Sequence, residues 1–478
     1  MKIIHLSAEC YPVAKVGGLA DVAGSLPKYL VREDVAASVI MPKYANEWIA
    51  NHEFETVFEG KAPLGDWQFD FKVQRERDDT LGFPLYVVDV PGRFDRSGVY
   101  AEERSGVPYQ DDYERFVSFQ VAVLDWLNGM SVKPHVIHCH DHHTALTPFL
   151  LTQCHRYRDL QHIPTVLTVH NGEYQGVYDH GKQDLLPHFD HQQAGLLDWD
   201  GNLNCLAAGL KTCWEITTVS PSYMEELSYN SHGLEWLFQS ERQKSRGIIN
   251  GIDTDVWNPE SDPMVAHPYN SRKMAAGKRK NKRVLCERFG LDPKHPTISF
   301  IGRLAREKGA DLLPDLFQRF LESPQSVNAV ILGTGDRKLH RRFEAMSDRF
   351  VGYFDAALDY NEPLAHQIYA GSDFMIMPSR IEPCGLNQMY AMRYGTVPVV
   401  RSVGGLKDTV VDVGDPEGYG ITFYDFSLDA AGRAVQRAIN LFGQRRTLTR
   451  LRKRMMNLDF SWNASARKYI ALYRELSN

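Results

Sequence analysis

The stretch Pro378-Ser379-Arg380-Ile381-Glu382-Pro383-Cys384-Gly385-Leu386-Asn387-Gln388-Met389-Tyr390-Ala391-Met392-Arg393-Tyr394-Gly395-Thr396 decides how the chain is read. Just before it, Phe374 to Met377 is an apolar run short enough for a buried parallel strand. Pro383 and Gly385 then mark a turn. Leu386, Met389 and Tyr390 follow at helical i, i+3, i+4 spacing, and Gly395 is placed to end that helix in the left-handed region. A strand ends, a carboxylate is presented and a helix begins at a glycine. Unsatisfied N–H groups at such a helix start favour an anion. With the carboxylate beside them they suit a ligand carrying both hydroxyls and phosphate, such as a nucleotide sugar. The plainer alternative is a strand–helix turn with Glu382 on the surface.

Working outward, the same strand, loop, helix logic recurs. Ile3 to Ser7 reads as a buried strand, followed by the loop Glu9 to Gly18 and an amphipathic helix marked by Leu19, Val22, Ala23, Leu26 and Leu30. Gly17 and Gly18 let backbone approach a phosphate and Lys15 supplies a point charge; a structural glycine turn is the alternative. Val39–Met41 and Leu85–Val90 are strands, with a hairpin excursion expected over Phe54 to Val73. Val136–Asp141 and Thr165–Val169 are strands with polar ends, the second leading into His170-Asn171-Gly172. Ligands of open parallel sheets bind beyond the carboxyl ends of the strands, which makes Asp141 and His170 pocket candidates. His138-Cys139-His140-Asp141-His142-His143 does not have the spacing of known zinc motifs, and its residues alternate faces.

Gly247 to Pro259 is rich in turn residues and sets a domain boundary near residue 245. Asp253-Thr254-Asp255 reads as a DxD metal clip or, more simply, as turn chemistry. Strands then resume at Ile298–Ile301, Ala329–Leu332, Phe350–Val351, Phe374–Met377, Val397–Val400 and Ile421–Phe423. Arg303 and Lys308, in the loop after the first of these, could clamp a diphosphate or be solvated loop charges. The basic runs Lys278 to Arg283 and Arg445 to Arg454 read as solvated helix faces.

The composition sets the outer limits. At 478 residues the chain has room for two or three domains, and 43% hydrophobic with 24% charged residues describes a globular protein. A formal net charge of -6 argues against a nucleic-acid binder held by bulk charge. Seven scattered cysteines without a CxxC pair point to free thiols in a reducing compartment. With neither a signal-like segment nor a long apolar run in view, a cytoplasmic enzyme of bacterial type is expected, with no membrane partner.

Taken in order, Lys15-Val16-Gly17-Gly18-Leu19, His140-Asp141, Val169-His170-Asn171, Asn250-Gly251-Ile252-Asp253, Gly302-Arg303-Leu304 with Lys308-Gly309, Glu382 to Leu386 and Gly404-Gly405-Leu406-Lys407-Asp408-Thr409-Val410 resemble the bacterial and plant glycogen/starch synthases over essentially the whole chain. The resemblance implies an α/β fold of the GT-B class, with two Rossmann-like domains whose parallel sheets face an interdomain cleft. It gives 1–245 as an N-terminal, acceptor-side domain carrying the Lys15 loop and 246–455 as the nucleotide-sugar domain. A C-terminal helix within 456–478 crosses back to the first domain. It implies transfer of glucose from a nucleotide diphosphate, usually ADP, to the 4-hydroxyl at the non-reducing end of an α-1,4-glucan, with the α-anomer retained.

By the same resemblance, Lys15 with Gly17 and Gly18 meets donor phosphate and glucose, Arg303 and Lys308 hold the diphosphate, and Glu382 binds sugar hydroxyls. Cys384, Gly385 and Leu386 offer backbone, Asn250 lies on the donor side and Tyr360 stacks on the base. His170 lies against the transferred glucose, and Asp21, Tyr100 and Asp141 are on the acceptor side. Glu382, His170, Asp141, Lys15, Arg303 and Lys308 form the catalytic set. No metal or other cofactor is expected, because Arg and Lys replace a divalent ion. The chain departs from the family at Ala20 (often Gly), His142 (Trp), Ile381 (Phe), and Asn387 and Val403 (both Thr). The last two remove hydroxyls otherwise available to phosphate. Two other classes compete: a GT-B transferase using UDP-glucose, and a glucan-binding protein with weak catalysis.

Overall fold

A computed structural model of the chain describes residues 1–103, 105–324 and 327–477, and the statements below concern those residues. They divide into two compact units, one within 1–219, 224–248 and 462–477, the other within 220–223 and 249–461.

The first unit is built on a nine-stranded sheet. Its strands are β1 (Lys2–Leu6), β2 (Ala36–Pro42), β3 (Phe54–Leu64), β4 (Trp67–Glu76), β5 (Leu85–Asp89), β6 (Val136–His140) and β7 (Thr165–Val169), then, after a small separate sheet of β8 (Val177–Tyr178), β9 (Asp198–Trp199) and β10 (Asn202–Asn204), β11 (Glu215–Thr218) and β12 (Ser245–Gly247). The order is β12-β11-β7-β6-β1-β2-β5-β4-β3. All pairs from β12 to β5 are parallel, and β4 and β3 add the expected antiparallel hairpin at one edge. β6 and β7 are buried along their whole length, as strands covered on both faces are. The chain leaves β1 toward β2 and β5, then returns to the other side of β1 as β6. The order therefore reverses between β1 and β6, where a doubly wound sheet opens a crevice at its carboxyl edge.

The C-terminal helix Trp462–Ser477 belongs to this unit. Trp462, Ala466, Tyr469, Ile470, Leu472 and Tyr473 bury one face of it against Ile3, Val22, Leu26, Tyr29, Leu30 and Val136. Arg246 pairs with Glu475 at 3.0 Å, fastening the helix to the edge of the sheet.

The second unit is built on the six strands β13 (Thr297–Ile301), β14 (Asn328–Leu332), β15 (Phe354–Ala357), β16 (Phe374–Met377), β17 (Val397–Arg401) and β18 (Ile421–Phe423). They are all parallel, in the order β15-β14-β13-β16-β17-β18. Its order reverses between β13 and β16. The helix Asn387–Arg393 follows β16 and ends at Gly395, which takes the left-handed conformation.

Two sequence expectations need correction. The strand placed at Phe350–Val351 is Phe354–Ala357, because the helix Arg337–Arg349 runs on to residue 349. The basic run Lys278 to Arg283 is helical (Met274–Arg288), but only Arg279, Lys280 and Arg283 are exposed on it. Met274, Gly277, Lys278, Asn281, Lys282 and Leu285 form its buried stripe. Lys278 Nζ donates to the Tyr369 carbonyl at 3.0 Å, and Lys282 pairs with the buried Asp373 at 2.6 Å. Arg452, from the second basic run, pairs with the same carboxylate at 2.7 Å. Burial by itself would raise the pKa of Asp373, but Lys282 and Arg452 hold it below the usual carboxylate range. Composition hid a helical period in which two lysines occupy core positions.

Candidate active site

In the first unit the loop after β1 and the loops after β6 and β7 lie on either side of the strand-order reversal. The organiser of the first loop is Glu9, which is 3% exposed. Its Oε2 accepts the backbone N–H groups of Val16 and Gly17 at 2.5 and 2.9 Å, and its Oε1 accepts the Tyr100 hydroxyl at 2.7 Å. This revises the part expected of Gly17, whose N–H is directed at Glu9. What Gly17 and Gly18 offer a ligand is room, since a Cβ on either would meet nothing within 4 Å. Lys15, exposed on this shelf, pairs with Asp21 at 2.6 Å, so the donor-side cation and the acceptor-side carboxylate of the sequence reading touch each other. Tyr100 stacks on His143 with ring centroids 4.5 Å apart.

Asp141 follows β6 with a φ of 57°, a conformation uncommon outside glycine. Its Oδ1 accepts the His170 backbone N–H at 2.7 Å, tying the ends of β6 and β7 together. Burial pushes the Asp141 carboxyl up to about 7, against the pull of backbone N–H groups from His170 and Asn171. His170 is 8% exposed, and burial pushes its imidazole down to about 3, so the ring is neutral. Its Nε2 lies 2.9 Å from His140 Nδ1.

In the second unit the loops after β13 and β16 meet across the reversal. Glu382, 4% exposed, receives Lys308 Nζ on Oε1 at 2.6 Å and the Ser379 hydroxyl on Oε2 at 2.9 Å. The carboxylate is thus buried and held from two sides, not a surface group on a turn. Two glycines allow this approach. Gly309 has a φ of 67°, and a Cβ there would sit 2.1 Å from the Pro378 carbonyl oxygen. Gly404 has a φ of 43°, and its Cβ would sit 2.1 Å from the Glu382 carbonyl oxygen.

Arg303 is exposed and pairs with Glu307 at 2.7 Å. Asn250, buried, directs its backbone N–H at the Cys384 sulfur, and burial raises that thiol to about 12, which removes it as a nucleophile. Gln388 Nε2 holds the Cys384 and Gly385 carbonyls, each at 3.0 Å. Leu386 heads the helix Asn387–Arg393 with no side-chain cap on its first N–H groups. The Asn387 amide donates to the Ile301 carbonyl at 2.7 Å, bracing β13. Tyr360, 79% exposed, stands one residue before the Asn361 cap of helix Glu362–Gly371.

Two residues in this geometry had no part in the sequence reading, Glu9 and Ser379. Each had a signal: Gly-rich turns leave N–H groups that need an acceptor, and Ser379 stands three residues before Glu382.

Among the described residues, two groups place three metal-ligand atoms within 4.8 Å of one another: His5, His138 and His140, and Asp112, His142 and His143. In the first group His138 uses both ring nitrogens, on Tyr473 (2.7 Å) and Thr168 (2.6 Å), and His140 bridges His5 and His170. In the second, the His142 and His143 rings lie 3.6 Å apart at 37°, and Nδ1 of each is buried without a hydrogen-bond partner among the described residues. Asp253 accepts the N–H groups of Asp255 and Val256 at 3.0 and 3.3 Å, which is turn chemistry.

Two Rossmann-like units, each with charged and polar groups at its strand-order reversal, are what this chain shares with glycosyltransferases of the GT-B class. The model for the starch synthase catalytic domain matches residues 2–240, and that for glycosyl transferases group 1 matches 295–440. A glycogen synthase from Flavobacterium johnsoniae is 46% identical over 474 residues, covering 99% of this chain and 98% of the relative. One from Geobacillus thermodenitrificans is 38% identical over 492 residues, covering 100% and 98%. The catalytic domain of starch synthase IV from Arabidopsis thaliana, solved bound to ADP and acarbose, superimposes with a TM-score of 0.87 at 32% identity, covering 100% of this chain and 99% of that one. The chain belongs to the glycogen/starch synthase family of glycosyltransferases. No helix among the described residues is long and apolar enough to cross a membrane.

Proposed function

We propose that the protein elongates glycogen in the cytoplasm, moving glucose from ADP-glucose to the non-reducing-end 4-hydroxyl of an α-1,4-glucan with retention of the α-anomer. The observation that carries the site assignment is the buried Glu382 held by Lys308 and Ser379 at the strand-order reversal of the second unit. Starch synthase IV, similar along the whole chain, holds ADP, which supports adenine as the base.

The leaving group is a diphosphate, so the barrier falls where cations meet growing negative charge. Lys15, Arg303 and Lys308 supply three, and no divalent metal or other cofactor is needed. The glucosyl carbon becomes oxocarbenium-like and favours fixed carboxylates and carbonyl dipoles. Glu382 holds sugar hydroxyls, oriented by its two partners. His170 meets the transferred glucose as a neutral ring. Asp21, Tyr100 and Asp141 serve the acceptor, and Tyr360 stacks on the base. With the Cys384 thiol held protonated and Glu382 engaged with Lys308 and Ser379, departure and same-face attack proceed without a covalent intermediate.

Radiolabelled ADP-, UDP- and GDP-glucose offered with glycogen primer test this directly. ADP-glucose is expected to give the largest kcat/KM. A larger value with UDP-glucose overturns the nucleotide assignment alone, and glucan binding without transfer from any donor overturns the enzyme.

A further inference from the structure

Three buried imidazoles form a continuous chain beneath the site in the first unit. His5 Nδ1 lies 3.1 Å from His140 Nε2, and His140 Nδ1 lies 2.9 Å from His170 Nε2. His5 and His140 are 0% exposed, and His5 Nε2 has no partner among the described residues. Burial pushes His5 and His170 down to about 3 and His140 well below its ordinary value, so each ring carries one proton on one of its nitrogens.

The two inter-ring hydrogen bonds need one proton each, and His140 has one to give. Both bonds must therefore point the same way. If they run from His170 toward His5, the His5 proton ends on Nε2 as a buried donor without an acceptor, which is rare and costly. If they run from His5 toward His170, the ring left over is only an unpaired acceptor, and the His170 proton must sit on Nδ1. We propose that His5 and His140 are positioning residues that lock His170 in the Nδ1-protonated tautomer, so that it meets the sugar as a hydrogen-bond donor and not as a base. The sugar contact of His170 rests on the proposed function; the direction of the chain does not.

The full-length protein labelled with 15N-histidine settles the direction by long-range 1H–15N NMR, with signals assigned from single histidine variants. His170 is expected to show a pyrrole-type Nδ1 and a pyridine-type Nε2; the reverse overturns the proposal. In His140→Phe the His170 ring loses its donor, its Nε2-protonated fraction rises, and kcat falls about tenfold while KM for the sugar nucleotide stays within about twofold. His140→Asn, which carries an amide nitrogen near the Nδ1 position, recovers most of that loss. Unchanged His170 shifts and unchanged kcat in His140→Phe overturn the locking role even if wild-type shifts agree. Wild-type kcat in His170→Ala overturns the donor role toward the sugar and leaves the measured tautomer standing.

Discussion

Lys308 Nζ and Glu382 Oε1 lie 2.6 Å apart, joining the loops that follow β13 and β16 at the point where the strand order of the second unit reverses. The cation assigned to the diphosphate and the carboxylate assigned to the sugar hold each other in place. Each charge therefore sets the position of the other before a ligand arrives, which is the form electrostatic preorganisation takes in a site without reorganisation cost.

Glu382→Gln keeps the size of the side chain and removes its charge. Two charge-assisted hydrogen bonds weakened in the transition state amount to roughly a hundredfold or more in kcat. Lys308 is 27% exposed and can take up water, so the melting temperature is expected to move little. Steady-state kinetics with calorimetry on the same sample check both halves, and wild-type turnover in a folded variant rules out the role.

Exhaustive EDTA treatment is expected to leave most of the activity, because the proposed function assigns the positive charge to Lys15, Arg303 and Lys308, and Asp253 is engaged in a turn. Collapse after chelation, with recovery on adding magnesium or manganese, would return Asp253 and Asp255 to consideration as a metal clip.

Asp141 titrates near 7 in the fold, against an ordinary value of 3.8. The folded protein binds this proton more tightly than the unfolded chain. The contribution to stability is therefore full below the unfolded value and is lost as the pH rises through about 7. Asn cannot ionise, tolerates the left-handed backbone and keeps an oxygen for the His170 N–H. Asp141→Asn should therefore melt close to wild type at about pH 4 and progressively above it toward about pH 8. A difference that shrinks with rising pH would contradict the burial of this carboxyl.

Asp373 sits just before β16, at the end of the strand opposite Glu382, between Lys282 and Arg452. Asp373→Ala strands two cations in the core and is expected to cost about 3–5 kcal/mol. Denaturant unfolding measures it. The same variant, where folded, should keep its donor KM, since nothing at the carboxyl end of the strand is touched; a large KM change would mean the cluster is coupled to the site.

Much of this was legible in one dimension. The apolar runs of β1, β6, β7, β13, β14 and β16 are local signals, and so is the glycine that ends the helix after Glu382. The ordered motifs from Lys15 to Val410 identify the family, because they report strand ends, as at His140-Asp141 and Val169-His170, and helix starts, as at Gly17-Gly18 and Gly404-Gly405. The basic runs misled at Lys278, Lys282 and Arg452, because charge composition says nothing about which side of a helix is buried. Lys278 and Lys282 are four apart and enter the core together, where a carbonyl and a carboxylate receive them.

The sequence by itself determined the periodicities, and with them two halves of alternating strands and helices with candidate groups at their strand ends; the Rossmann-like fold came from the family resemblance. Only tertiary structure decided which of those groups meet. Glu9 reaches Val16 and Gly17, Lys15 turns to Asp21, Lys308 reaches across 74 positions to Glu382, and His5 lines up with His140 and His170. For the Lys308 and histidine contacts, which are distant in sequence, the reason is topological. Crossover connections set strands distant in sequence side by side, so groups separated along the chain become hydrogen-bond partners only once the strand order exists.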